Sequence, residues 1–196
     1  GFISSIRFWK MPGNNGVHTG AVWTAAGALL GEAVFTNETA SGWQVARFQS
    51  PIPVSANTTY IASYFCPLGQ YAREANYFNA ASGTGTISAN PPLSAPADGL
   101  FGPNGLYAYA AASAFPNQAA GSANYWVDVQ FQPSATATTP APEPAPAPPP
   151  SGLTATNTWI WPENISPSPE LGDDGRPVNL GVRFRSSADG RIRGIR

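Results

Sequence analysis

Residues 124–131 read NYWVDVQF, and this stretch decides the fold. Tyr125, Val127, Val129 and Phe131 fall on one face of an extended chain, and Trp126, Asp128 and Gln130 on the other. A repeat of two residues is the signature of a strand with one face turned to a core. The same alternation recurs upstream. In WQVARFQ (43–49), Ala46 and Phe48 share a face, with Val45 and Arg47 opposite. In TTYIASYFC (58–66), Tyr60, Ala62 and Tyr64 oppose Ile61, Ser63 and Phe65. HTGAVWT and ALLGEAVFT, separated by AAG (25–27), read as a hairpin. SIRFWK (5–10) and GLYAYAA (105–111) are further strand candidates, and no segment sustains a helical period. Short strands punctuated by Gly and Pro predict an all-β, immunoglobulin-like antiparallel β-sandwich over residues 1–133.

Composition agrees. The 196 residues include 20 Gly and 21 Pro, which favour turns over helices. Charged residues make up 11%, well under the usual quarter. The net charge of −1 creates no field to draw in nucleic acid, and the sequence contains no membrane span. Arg is concentrated between Arg176 and Arg196, where it reads as the solvated face of strands. The single cysteine, Cys66, can form no internal disulfide and reads as a small buried hydrophobe. The texture, low in charge and rich in Thr, Asn and Pro, suits a secreted, extracellular or cell-surface protein.

Two stretches lack strand signals. Residues 66–104 read as long ordered loops, because they keep Tyr71, Tyr77, Phe78 and Phe101. Residues 134–152, SATATTPAPEPAPAPPPSG, are an Ala/Pro-rich linker that favours extended polyproline II. At about 3.1 Å per residue such a rod reaches roughly 55 Å.

Beyond the linker, residues 153–196 read as the start of a next repeat. GRIRGIR (190–196) echoes GFISSIR (1–7), which predicts a tandem array with a period of 189 residues. On this reading the body lacks its first strand, and NLGVRFRS (179–186) is a candidate donor strand. Leu180, Val182 and Phe184 would cover the core, while Arg183 and Arg185 face solvent. ADG (188–190) reads as a tight turn and RIRGIR as the returning strand of a hairpin. The donor strand can fill its own sheet or that of another copy; a partner chain is the favoured acceptor. Trp159 and Trp161 are the expected anchors of the tail on a domain surface.

Several phrases, in order, resemble the bacterial domain of unknown function numbered 4082. They are IRFWKMPGNNGVHTGAVWTAAGALL, FTNETASGWQVARF, PVSANTTYIASYFCPLGQYA, NGLYAYA and NYWVDVQF. LGVRFRSSADGRIRGIR resembles the family's N-terminus but stands here at the C-terminus. The resemblance implies a secreted β-sandwich of immunoglobulin-like size, often tandemly repeated beside adhesive domains or glycan-active enzymes. It implies no activity. The family often has His after the Tyr of the SYF phrase; Phe65 stands there and has no nitrogen for a metal or acid–base role.

Chemistry needs converging groups. His18, the only histidine, has no second His beside it and reads as structural. Glu38 in TNETASG reads as a turn cap, and Asp173–Asp174 before Gly175 as turn residues rather than a calcium loop. No catalytic residue, metal site or cofactor is expected. The expected function is a non-catalytic structural repeat of a cell-surface protein, assembling head-to-tail into filaments by donor-strand complementation. Its partners would be other copies of the chain or neighbouring repeats. The alternative is a glycan-binding module of a secreted adhesin or carbohydrate-active enzyme, with polysaccharide as partner. Trp23, Trp43, Trp126, Tyr71, Tyr77 and Tyr107 are the aromatics considered for it. Tyr71, Tyr77 and Trp126 are the candidate ligand-stacking residues.

Overall fold

The computed structural model describes residues 1–79, 86–133 and 157–188. It is all-β and antiparallel, with no helix among the described residues. In chain order the strands are β1 (Phe2–Lys10), β2 (Thr19–Thr24), β3 (Leu29–Val34), β4 (Gly42–Pro53), β5 (Thr59–Cys66), β6 (Gln70–Arg73) and β7 (Thr86–Asn90). There follow β8 (Leu93–Pro96), β9 (Leu106–Tyr109), β10 (Gln118–Ala119), β11 (Val127–Gln132), β12 (Thr158–Trp159), β13 (Glu170–Asp173) and β14 (Val178–Ser186).

One sheet has the order β12-β11-β1-β4. The larger runs β10-β9-β14-β5-β2-β3, with the β7-β8 hairpin attached to β14. A two-stranded ribbon, β13-β6, completes the fold. The two large sheets pack as a sandwich. Ile6 and Phe8 of β1, Val127, Val129 and Phe131 of β11, and Ala46 and Phe48 of β4 meet Tyr60, Ala62 and Tyr64 of β5 in one core. A bulge at Ser4 lets Ile3 and Ile6 both reach that core despite their odd spacing. The outer face of the larger sheet is also covered: Ala21, Trp23, Ile61 and Leu106 pack beneath Phe115. This explains why β5 is almost wholly buried, where a strand with one wet face would alternate.

The stretch that reads as loops, 66–104, contains β6, β7 and β8. These strands span four or five residues, too short for alternation to stand out. The strand read from residue 124 begins at Val127, because Trp126 takes a φ of +53° and breaks the extended run.

Residues 157–188 are built into the sheets of residues 1–133, whereas the sequence assigns them to a following repeat. β12 pairs with β11, β13 with β6, and β14 with β5, β8 and β9. The favoured acceptor in the sequence reading is a partner chain; in this single chain the strand fills its own sheet. Val178, Leu180, Val182 and Phe184 are each at most 1% exposed in the core. Each such side chain contributes roughly 1.5–3 kcal/mol on burial. Between the stretches paired to β9 and β8, the side chain of Asn104 substitutes for a strand. It accepts from Arg183 N at 2.8 Å and donates to Arg183 O at 3.1 Å. Arg183 does not face solvent as expected: its Nε donates to Pro103 O at 2.9 Å and the residue is buried. The linker (134–152), Asp189 and Gly190 of the ADG turn, and the echo at 190–196 lie outside the described residues.

Candidate ligand site

The ribbon β13-β6 sets Gly172 opposite Tyr71. A Cβ on Gly172 would stand 2.3 Å from Tyr71 Cε2, so the missing side chain gives the ring its place. Tyr71 packs edge-on against Tyr125, centroids 5.6 Å apart. On β9, Tyr107 and Tyr109 stand two residues apart on one face, with centroids 5.5 Å apart. Tyr107 lies beside Leu180 of β14 in the pairing register. Tyr71, Arg73, Tyr107, Tyr109, Ala120, Tyr125, Asp174 and Leu180 enclose a cavity of about 200 Å³.

Asp174 ties the site together. Its Oδ2 accepts from the Tyr71 hydroxyl at 3.2 Å and from the Tyr109 hydroxyl at 3.0 Å. The Arg176 guanidinium lies 3.4 Å from the centre of the Tyr109 ring. Burial raises the Tyr71 phenol well above its ordinary range, and the Asp174 charge raises it further. Burial pushes Tyr125 up to about 12, against the opposing pull of Arg73. Both remain neutral phenols at physiological pH. They are hydrogen-bonding groups and aromatic walls, not nucleophiles.

Of the three predicted stacking residues, only Tyr71 lines this cavity. Tyr77 and Trp126 belong to an aromatic cluster beneath the tail. Trp126 is 3% exposed and packs against Trp43, Tyr77 and Trp161. The Tyr77 hydroxyl accepts from Trp161 Nε1 at 3.0 Å. Trp126 is too buried to offer a ring face to a ligand, and Tyr77, half-buried, lies outside the cavity. Trp23 is buried, and its Nε1 donates to Ser63 Oγ at 2.8 Å. The sequence reading missed Arg73, Tyr109, Tyr125 and Asp174. The alternation in LYAY (106–109) signals the Tyr107–Tyr109 pair; nothing local signals Asp174.

Trp159 and Trp161 are both buried against the body. Trp159 stacks on the guanidinium of Arg7, 4.3 Å away, with Trp43 at 4.1 Å from the same group. Asp128 Oδ1 accepts from Ile160 N at 2.8 Å. Arg7 and Asp128 form an ion pair at 2.8 Å, and the tail thus closes over it on the outer face of the smaller sheet.

A third polar cluster surrounds His18. Its Nδ1 lies 2.9 Å from Glu38 Oε1 and its Nε2 2.8 Å from Asn14 Oδ1. Lys10 Nζ donates to Glu38 Oε2 at 2.7 Å. The Cys66 thiol donates to the same Asn14 oxygen at 3.2 Å. Glu38 is therefore an ion-pair partner rather than a turn cap. His18 is wholly buried with both nitrogens engaged, which suits a structural role. Burial pushes the Cys66 thiol up to about 11, so it is a poor nucleophile. Among the described residues no group of three or more His, Cys, Asp or Glu could hold a metal ion. No helix there is long and apolar enough to cross a membrane.

The fold is thus an antiparallel β-sandwich closed by a late strand, with a tyrosine-lined cavity at one end. The model of the domain of unknown function DUF4082 matches residues 1–127, and the chain belongs to that family. No curated protein and no solved structure matches the chain.

Proposed function

We propose that this chain is a non-catalytic structural module of an exported, cell-surface protein. In this proposal such modules repeat, and neighbours join head-to-tail by strand addition. The observation that carries the reading is the position of β14, an interior strand that pairs on both sides yet arrives last, after residues 134–156. Without it the larger sheet would split and bare an apolar core. An exposed edge is a template for pairing. The same contacts form whether the strand comes from its own chain or another, so exchange of β14 between copies needs no new interface.

The test is refolding of the full chain from denaturant at high concentration, followed by size-exclusion chromatography with light scattering. A ladder of oligomers is expected, and Val182→Asp should abolish it. A strict monomer at every concentration would sink the filament proposal.

A second reading, a glycan-binding module, is favoured by the tyrosine-lined cavity. Sugar rings pack their C–H faces on aromatic side chains, and phenol hydroxyls serve as donors and acceptors. The cavity, about 200 Å³, is smaller than a typical drug-sized pocket of roughly 300–1,000 Å³ and suits one sugar ring.

A further inference from the structure

Resting on the glycan-binding reading, we propose that the cavity takes one carboxylated sugar residue, a uronate, and that its site is complete only with β13 and β14 seated. The lining carries one cation, Arg73, and one carboxylate, Asp174, and their different engagement points to an anionic ligand. Arg73 and Asp174 line the same cavity without forming an ion pair. Asp174 is committed to two tyrosine hydroxyls, so its charge is already hydrogen-bonded. Arg73 makes no ion pair among the described residues, not even with Glu170, its neighbour across the ribbon. Arg176 adds a second cation at the rim, over Tyr109. A guanidinium that makes no ion pair among the described residues, beside aromatic walls, matches a ligand that carries a carboxylate on a ring with an apolar face.

The site is composite. Tyr71, Arg73, Tyr107, Tyr109 and Tyr125 come from the body, whereas Asp174 and Leu180 come from residues 170–186. Tyr107 is positioned by pairing of β9 with β14, and Tyr71 by the gap at Gly172. A ligand held by both parts must stabilise their union, because it binds the docked state and not the open one. Uronate binding and strand seating are therefore linked.

The experiment is calorimetric titration of the full chain with galacturonate and glucuronate oligosaccharides, neutral galactose and glucose oligosaccharides, and inorganic phosphate. Hydrogen exchange of residues 170–186 is followed in parallel. Uronates should bind at least tenfold tighter than neutral sugars, and Arg73→Gln should remove that preference without lowering the melting temperature. Phosphate should bind much more weakly than uronate. Uronate should also slow exchange in residues 170–186. Equal binding of neutral and acidic sugars would overturn the proposal while leaving the glycan reading intact. Binding of phosphate as tight as uronate would mark a bare anion site and overturn it too. No binding of any sugar would sink the glycan reading and this inference with it. Uronate binding with unchanged exchange would overturn the linkage.

Discussion

Arg7 and Asp128 form a buried ion pair in which both Nε and one terminal nitrogen donate to a single carboxylate oxygen, at 3.0 and 2.8 Å. The other carboxylate oxygen accepts from the amides of Val129 and Ile160. The same Arg7 nitrogen also donates to Trp161 O at 2.8 Å. Burial pushes the Asp128 carboxyl up to about 6, against the opposing pull of Arg7 and the two amides. The pair therefore joins strands β1 and β11 to the tail. Asp128→Ala should destabilise the fold by about 3–5 kcal/mol, because it leaves the Arg7 charge buried and unpaired. Denaturant titration measures this; a loss under 1 kcal/mol would mean that water reaches Arg7.

Removal of residues 177–196 takes four apolar side chains from the core. At roughly 1.5–3 kcal/mol each, their loss rivals the whole stability of a typical domain, about 5–15 kcal/mol. The truncated chain should be unfolded or molten by near-ultraviolet circular dichroism. An added peptide of residues 177–188 should restore the native spectrum. A truncated chain with an unchanged melting temperature would show that β14 contributes nothing to the body.

The His18 pocket predicts a pH dependence. Burial lowers the His18 pKa below 6.5, partly offset by Glu38, while the charge of nearby Lys10 lowers it further. The folded pKa is thus below the unfolded one. Below 6.5 the unfolded chain takes up the proton more readily, so this stabilisation is present above pH 6.5 and declines as pH falls toward the folded pKa. His18→Gln should weaken the fold at pH 7. It should also flatten the fall in melting temperature between pH 7 and 5, relative to wild type. Binding and assembly should persist in folded His18→Ala; their loss without unfolding would give His18 a functional role.

Gly172→Val tests the ribbon. The new side chain would collide with the Tyr71 ring, and overpacking of this kind typically costs about 1–3 kcal/mol. The cavity should change shape while the sandwich persists. Gly172→Ala should act in the same direction with smaller effect. Unchanged tyrosine fluorescence and stability in both variants would show that the ring moves freely.

What the sequence makes legible is the alternation. Strands β4, β5 and β11 each bury the face their periodicity predicts, although only β4 sets an exposed face against it; the outward faces of β5 and β11 are largely covered as well. The position of β14 between β5 and β9 is less legible. Its inward face is readable, but its outward face is covered too: Asn179 holds Ala112 O and Ala114 N, and Arg183 is covered by the 102–104 loop. Those covers come from residues 65–80 positions away, a separation no local pattern records. The cavity was hidden for the same reason. Tyr109 and Asp174 meet across 65 residues, and Asp174 alone looks like an ordinary turn residue. Aromatic type was a poor guide to exposure, since Tyr77 and Trp126 are needed under the tail.

The interior place of β14 also has a mechanical consequence. Tension drawn along this strand would run parallel to its length, so the backbone bonds to β5 and β9 would carry the load together in shear. They could not peel apart one at a time, as bonds at a frayed hairpin do. Rupture under force follows the barrier to unfolding rather than the equilibrium stability. A chain strung through such strands would resist stretching beyond what its melting temperature suggests.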